Sequence, residues 1–202
     1  MINPIKHFDL TFKIIIVGDS FVGKTNILST YIKNTFDQNK NPTIFDLHNK
    51  NIKIKNKIIN FQIWDTAGQE RYKSIICGFY KNAKGAFIVY DITDLKSFLS
   101  VDYWFIDLKN KTDAEIILIG NKCDLTSERK ISYKEGMNKA LFYDSIFFEV
   151  SAKTKYNIKN IFNVLTTNIY EKFENNLVLE NYENTTYDHK KEFEENLNIR
   201  CC

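Results

Sequence analysis

Four short segments carry side chains whose chemistry could act together. The first, Gly18-Asp19-Ser20-Phe21-Val22-Gly23-Lys24-Thr25, fits the pattern G-x-x-x-x-G-K-[ST]. Its glycines let backbone N–H groups curl around phosphates, its lysine can reach the β- and γ-phosphates, and its threonine hydroxyl can take Mg²⁺. The helix that follows would point its positive N-terminal end at the same anion. Asp19, Ser20, Val22, Gly23, Lys24, Thr25 and Asn26 are therefore the expected phosphate-side contacts.

The second segment is Asp65-Thr66-Ala67-Gly68-Gln69, at the end of a β run. Asp65 could hold Mg²⁺ through water, Gly68 could offer its N–H to a γ-phosphate, and Gln69 could orient an attacking water. The third, Asn121-Lys122-Cys123-Asp124, also follows a β run. The Asp124 carboxylate could accept from the N1 and N2 donors of guanine, a pair that adenine lacks. The wrong base would leave that charge buried and unpaired. In the fourth, Ser151-Ala152-Lys153, a backbone N–H could meet guanine O6.

These segments need a scaffold that brings four strand ends together. Leu10–Val17 is a β-branched run ending at Gly18, and Lys24–Lys33 reads as a helix. Ile52–Lys55 and Ile58–Trp64 form a hairpin about a polar Asn56-Lys57 turn. Further β runs at Ala86–Asp91, Glu115–Gly120 and Ile146–Val150 each precede a helix-compatible stretch: Lys96–Lys111, Ser132–Tyr143 and Asn157–Phe173. The expected fold is α/β: a six-stranded, mostly parallel sheet with one antiparallel hairpin pair and helices on both faces.

Composition narrows the function. The formal charge of +3 over 202 residues is too small to argue for a nucleic-acid partner. Between Glu171 and Arg200 eight acidic side chains face four basic ones, so the body is basic and the tail acidic. The start, Met-Ile-Asn-Pro, has neither a signal core nor a myristoylation glycine. No apolar run approaches the roughly 20 residues of a membrane helix. The four cysteines suggest neither a disulfide framework nor a zinc site, and a reduced cytosolic compartment is the expectation. Residues 174–202, rich in Asn and Glu, read as a flexible tail behind a domain spanning 1–173.

The four segments, in this order, resemble those of the Ras superfamily of small GTPases, whose core is the P-loop NTPase fold. Phe61-Gln62-Ile63-Trp64-Asp65-Thr66-Ala67-Gly68-Gln69-Glu70-Arg71-Tyr72, Tyr80-Lys81-Asn82-Ala83-Lys84-Gly85-Ala86 and Val89-Tyr90-Asp91-Ile92-Thr93 look like the Rab family in particular. The resemblance implies Mg²⁺-dependent GTP binding and slow hydrolysis to GDP and phosphate, switching effector recruitment in vesicle-mediated membrane traffic. It implies nucleotide contacts at Asp19, Ser20, Val22, Gly23, Lys24, Thr25, Asn26, Phe36, Thr43, Gly68, Asn121, Lys122, Asp124, Ser151, Ala152 and Lys153. Metal contacts would come from Thr25, Thr43 and Asp65, and catalysis from Gln69 and Lys24. Phe36 would pack edge-on against guanine, and Thr43 would release metal and γ-phosphate after hydrolysis, relaxing the switch segments. Trp64 and an aromatic near Phe79 resemble partner-reading aromatics, with core packing the equal alternative.

The ending Arg200-Cys201-Cys202 resembles a Rab terminus and implies geranylgeranylation of Cys201 and Cys202. Two lipids give a stable anchor where one is marginal. Implied partners are effectors, an exchange factor, a GTPase-activating protein, a Rab escort protein, geranylgeranyl transferase and a GDP-dissociation inhibitor. The implied location is the cytosol and the cytoplasmic face of an intracellular membrane.

Two places depart from the Rab pattern. Thr43-Ile44-Phe45-Asp46-Leu47-His48 lacks the glycine that usually follows the switch Thr-Ile and is one residue shorter before Trp64. That segment normally docks effectors, and Pro42-Thr43-Ile44 looks slightly more Ras-like. Phe21 stands where Rabs carry a small residue. Its ring could crowd the catalytic water or an activator's arginine, or point to solvent. Two other functions stay open: a GTP-dependent binding module with negligible turnover, and a superfamily switch outside the Rab family. A P-loop kinase of small metabolites is disfavoured by the guanine-selective Asn121–Asp124 segment.

Overall fold

The β-branched run Leu10–Val17 forms strand β1, and its last four residues, Ile14 to Val17, have no solvent exposure. A strand buried on both faces is what a parallel sheet with helices on both sides requires. The computed structural model describes residues 8–37, 45–66 and 80–177. Six strands make one sheet: β1, β2 (Phe45–Ile54), β3 (Lys57–Thr66), β4 (Ala83–Asp91), β5 (Glu115–Asn121) and β6 (Ile146–Glu149), ordered β2-β3-β1-β4-β5-β6. All neighbours run parallel except β2 and β3.

The described helices are α1 (Lys24–Lys33), α2 (Leu95–Leu99), α3 (Val101–Lys109), α4 (Tyr133–Phe142) and α5, residues 158–177. The chain divides into two compact units, Met1–Thr166 and Thr167–Cys202. In the first unit, Ile15, Val17, Ala86, Ile88, Tyr90 and Leu118 share a core with Phe98, Val101, Trp104, Phe105, Leu108 and Ala140 of α2, α3 and α4. On the opposite face Phe162 stacks on Tyr31 of α1 at 3.7 Å and meets Phe87 edge-on at 4.9 Å. In the second unit the Tyr170 hydroxyl donates to Glu174 at 2.6 Å.

The architecture matches the expectation, while several boundaries move. The hairpin turn is Lys55-Asn56 rather than Asn56-Lys57, because Ile54 pairs with Lys57. Pairing half-buried Ile52 with fully buried Ile59 sets that register, and a one-residue slip would turn both faces over. Lys55 accepts a left-handed φ of 51° to close the turn. The helix expected over Lys96–Lys111 is instead two, α2 and α3, broken at Ser100. The Ser100 hydroxyl bonds back to the Lys96 carbonyl at 3.1 Å, a contact that bends helices. The segment shortened after Thr43 costs the sheet nothing: β2 pairs with β3 continuously from Phe45–Thr66 to Ile54–Lys57.

Strand order fixes where a ligand can sit. The chain leaves β1 toward β3 on one side, yet leaves β4 toward β5 on the other. A crevice opens at the carboxyl ends of the strands where direction reverses, which is the usual ligand position in open α/β sheets.

Candidate functional site

The loop from Gly18 to Thr25 leaves β1 at that crevice and runs directly into α1. Its two glycines are obligatory for packing as well as for dihedral angle. Gly18 has φ 141°, and a Cβ there would lie 2.1 Å from the Val89 carbonyl oxygen. Gly23 has φ 96°, and a Cβ there would lie 2.4 Å from Asn121 Nδ2. Lys24 folds back over the loop, its Nζ donating to the Gly18 carbonyl at 2.8 Å and the Asp19 carbonyl at 2.7 Å. These bonds close a ring whose backbone N–H groups and ammonium suit an anion. Burial pushes the Lys24 ammonium down to about 8, while Asp65 and Asp19 pull it the other way.

Asp65 sits on β3 beside β1, fully buried, paired in register with Ile16. Neither carboxylate oxygen makes a well-formed hydrogen bond among the described residues. Burial raises its pKa, and the Thr25 hydroxyl, Lys24 and His48 offset this only in part. A buried carboxylate beside a threonine hydroxyl suits a hard divalent cation with oxygen ligands.

Asn121 is 1 % exposed and joins the crevice together. Its Nδ2 donates to the Val22 carbonyl at 2.8 Å, and its Oδ1 accepts from the Ala152 N–H at 3.3 Å. Lys122 takes a left-handed φ of 65° and pairs with Asp91 at 2.6 Å. The Ser151 hydroxyl donates to Asp124 Oδ1 at 2.6 Å and accepts from the Thr154 N–H at 3.0 Å. Asp124 is thus anchored through one oxygen. Lys153 is exposed on the same loop.

Beyond α1, Phe36 is 38 % exposed. The Asn26 side chain holds the next residue, donating to the Asp37 carbonyl at 2.9 Å. Ser20 is half-buried, and Phe21 is 78 % exposed with a left-handed φ of 65°. Thr43, Gly68, Gln69, Phe79, Cys201 and Cys202 lie outside the described residues. Trp64 is half-buried, with the Lys13 ammonium 4.1 Å above its ring.

Two positioning residues escape sequence reading. The Thr30 hydroxyl, on α1, donates to the Ala152 carbonyl at 2.9 Å across 122 residues of sequence. The Trp104 indole N–H, on α3, donates to Asp19 Oδ1 at 2.9 Å. Thr30 lies past the motif residues of α1, Trp104 lies on a helix that carries no motif, and no local signal marks either.

Residues 13–171 match the Ras family. The chain belongs to the Ras family. Its relatives place it on the Rab branch. It is 36 % identical over 204 residues to Ras-related protein RABA5d of Arabidopsis thaliana, covering 95 % of this chain and 93 % of that one. It is 41 % identical over 166 residues to Ras-related protein RABA1h of the same plant, with 81 % and 76 % covered. It is 40 % identical over 167 residues to Ras-related protein Rab11B of Nicotiana tabacum, with 81 % and 77 % covered. This Rab GTPase binds and hydrolyses GTP in membrane traffic, and works with regulators and effectors. Among the described residues, no helix of the Rab is long and apolar enough to cross a membrane.

Proposed function

We propose that this Rab holds guanine nucleotide through the crevice residues described above, with Mg²⁺ bound at Thr25, Thr43 and Asp65. One observation supports this reading most directly. Asn121 ties the phosphate loop at Val22 to the Ala152 N–H, so a phosphate cradle and a guanine-selective carboxylate, Asp124, share one rigid cleft.

Lys24 and the loop N–H groups of Asp19, Ser20, Val22, Gly23, Thr25 and Asn26 bind the phosphates. Phe36, Lys122, Asp124, Ser151, Ala152 and Lys153 enclose the base. The free oxygen of Asp124 accepts from guanine, while its Ser151 bond keeps it from turning away. Mg²⁺, when bound, neutralises phosphate charge during transfer. Gln69 orients the attacking water, and Thr43 and Gly68 register the γ-phosphate. The domain over 1–173 carries the switch, and the residues that follow it connect the domain to the membrane, although the helix expected to end at Phe173 continues to Leu177. Cys201 and Cys202 take geranylgeranyl groups through an escort protein and transferase, and a GDP-dissociation inhibitor extracts the lipidated form. These last steps rest on the resemblance alone.

Equilibrium binding to GDP, GTP and ATP with Mg²⁺ present tests the reading. Guanine nucleotides bind far more tightly than ATP, and Asp124→Ala narrows the gap by at least tenfold, about 1.4 kcal/mol. Single-turnover hydrolysis falls in Gln69→Leu with binding retained. Equal affinity for ATP would end the proposal.

A further inference from the structure

The hydrogen bond between Trp104 and Asp19 reaches across 85 residues, from a helix outside every motif to the second residue of the phosphate loop. Trp104 is only 2 % exposed. Its helix is fixed on both sides of it: Val101, Phe105 and Leu108 are fully buried, and Phe105 stacks on Tyr143 at 4.2 Å. Asp102, two residues before Trp104, accepts from Lys139 at 2.8 Å and 2.9 Å and from the Tyr143 hydroxyl at 3.0 Å. The indole is therefore a rigid donor, mounted on the body of the fold rather than on the loop.

Asp19 is a liability where it stands. Its carboxylate belongs to the loop that must receive an anion, and like charges repel strongly where water is partly excluded. Its main-chain carbonyl, meanwhile, accepts from Lys24 at 2.7 Å, so any swing of Asp19 disturbs the ring that Lys24 closes. One indole N–H addresses both problems. It offers the carboxylate a partner away from the phosphates, and it fixes the backbone to which Lys24 is bonded.

We propose that Trp104 is a positioning residue for nucleotide retention, its indole N–H holding the Asp19 carboxylate away from the phosphates and steadying the loop that Lys24 closes. The inference rests on the assignment of residues 18–25 as the phosphate cradle.

The test is a double-mutant cycle on the release of radiolabelled GDP from the full chain with Mg²⁺ present. Trp104→Phe keeps a buried aromatic ring and removes the donor together with part of the indole's volume, and the cycle subtracts the volume effect because it is common to both backgrounds. The substitution speeds release by about tenfold, as loss of a hydrogen bond to a charged group would. Asp19→Asn removes the charge and slows release. In an Asp19→Ala background, where no side-chain acceptor remains for the indole, Trp104→Phe changes release by less than about twofold. The same fold-change in both backgrounds would mean that Trp104 acts by packing alone, and would overturn the inference. Asp19→Asn serves by itself if Trp104→Phe fails to fold, because unchanged or faster release in that variant also refutes it. A wild-type chain that retains no GDP would overturn the cradle assignment and this inference together, whereas an additive cycle on a GDP-retaining chain overturns only the inference.

Discussion

Asn121→Ala destabilises the protein even when no nucleotide is bound. Both hydrogen bonds of this buried amide go to the protein: to the Val22 carbonyl at 2.8 Å and from the Ala152 N–H at 3.3 Å. Removing it leaves a carbonyl and an amide N–H without their partner. An unsatisfied buried group costs about 1–3 kcal/mol, and water entering the gap recovers part of that. The expected loss is about 2–5 kcal/mol. At roughly 2–4 °C per kcal/mol for a chain of this size, Tm falls by roughly 4–20 °C. The assay is thermal or urea unfolding of protein stripped of nucleotide with a chelator, with GDP release measured alongside. Release accelerates as well, because the loop at Val22 and the loop at Ala152 are no longer held together. The decisive comparison is the stripped protein. A Tm within about 1 °C of wild type, with nucleotide affinity alone reduced, would show that Asn121 acts only on the ligand and would refute the reasoning.

Lys24→Met abolishes nucleotide binding, and its effect on the stability of the stripped protein depends on pH. The folded-state value of about 8 lies below the usual 10.5, so the buried charge is a cost below pH 8. Between about pH 8 and 10.5 the unfolded chain binds the proton that the native state has lost, and the lysine's contribution to stability rises with pH. The urea midpoint of wild type should therefore rise relative to that of Lys24→Met across that window, and a constant difference would contradict it. Phe21→Gly relieves a left-handed φ of 65° that costs a side chain roughly 1–2 kcal/mol, less the added entropy of glycine, so Tm rises by a few degrees. Intrinsic turnover changes in the same variant, and an unchanged single-turnover rate would show that the ring stands clear of the reacting phosphate.

The residues that meet the ligand are legible in the chain because their chemistry constrains both residue type and local spacing. A loop that must curl backbone N–H groups around phosphates needs Gly18 and Gly23 at their spacing. A carboxylate that must read guanine has to follow a strand end, as Asp124 does. The six strands, their mostly parallel sheet and the helices on both faces are legible in alternating buried runs, for periodicity is a local property, whereas the strand order is decided by pairing between distant segments. The partners that hold those residues are a different matter. Asn121 bonding to Val22, Thr30 to Ala152 and Trp104 to Asp19 span 99, 122 and 85 residues. Such pairings arise only when strands from distant parts of the chain meet at one crevice. The turn at Lys55-Asn56 and the break at Ser100 belong to the same class. Cross-strand register decides the first, a hydroxyl bonded back to a carbonyl decides the second, and neither is written in local propensity. Chemistry chose the side chains that face the nucleotide, and tertiary packing chose the ones that keep them still.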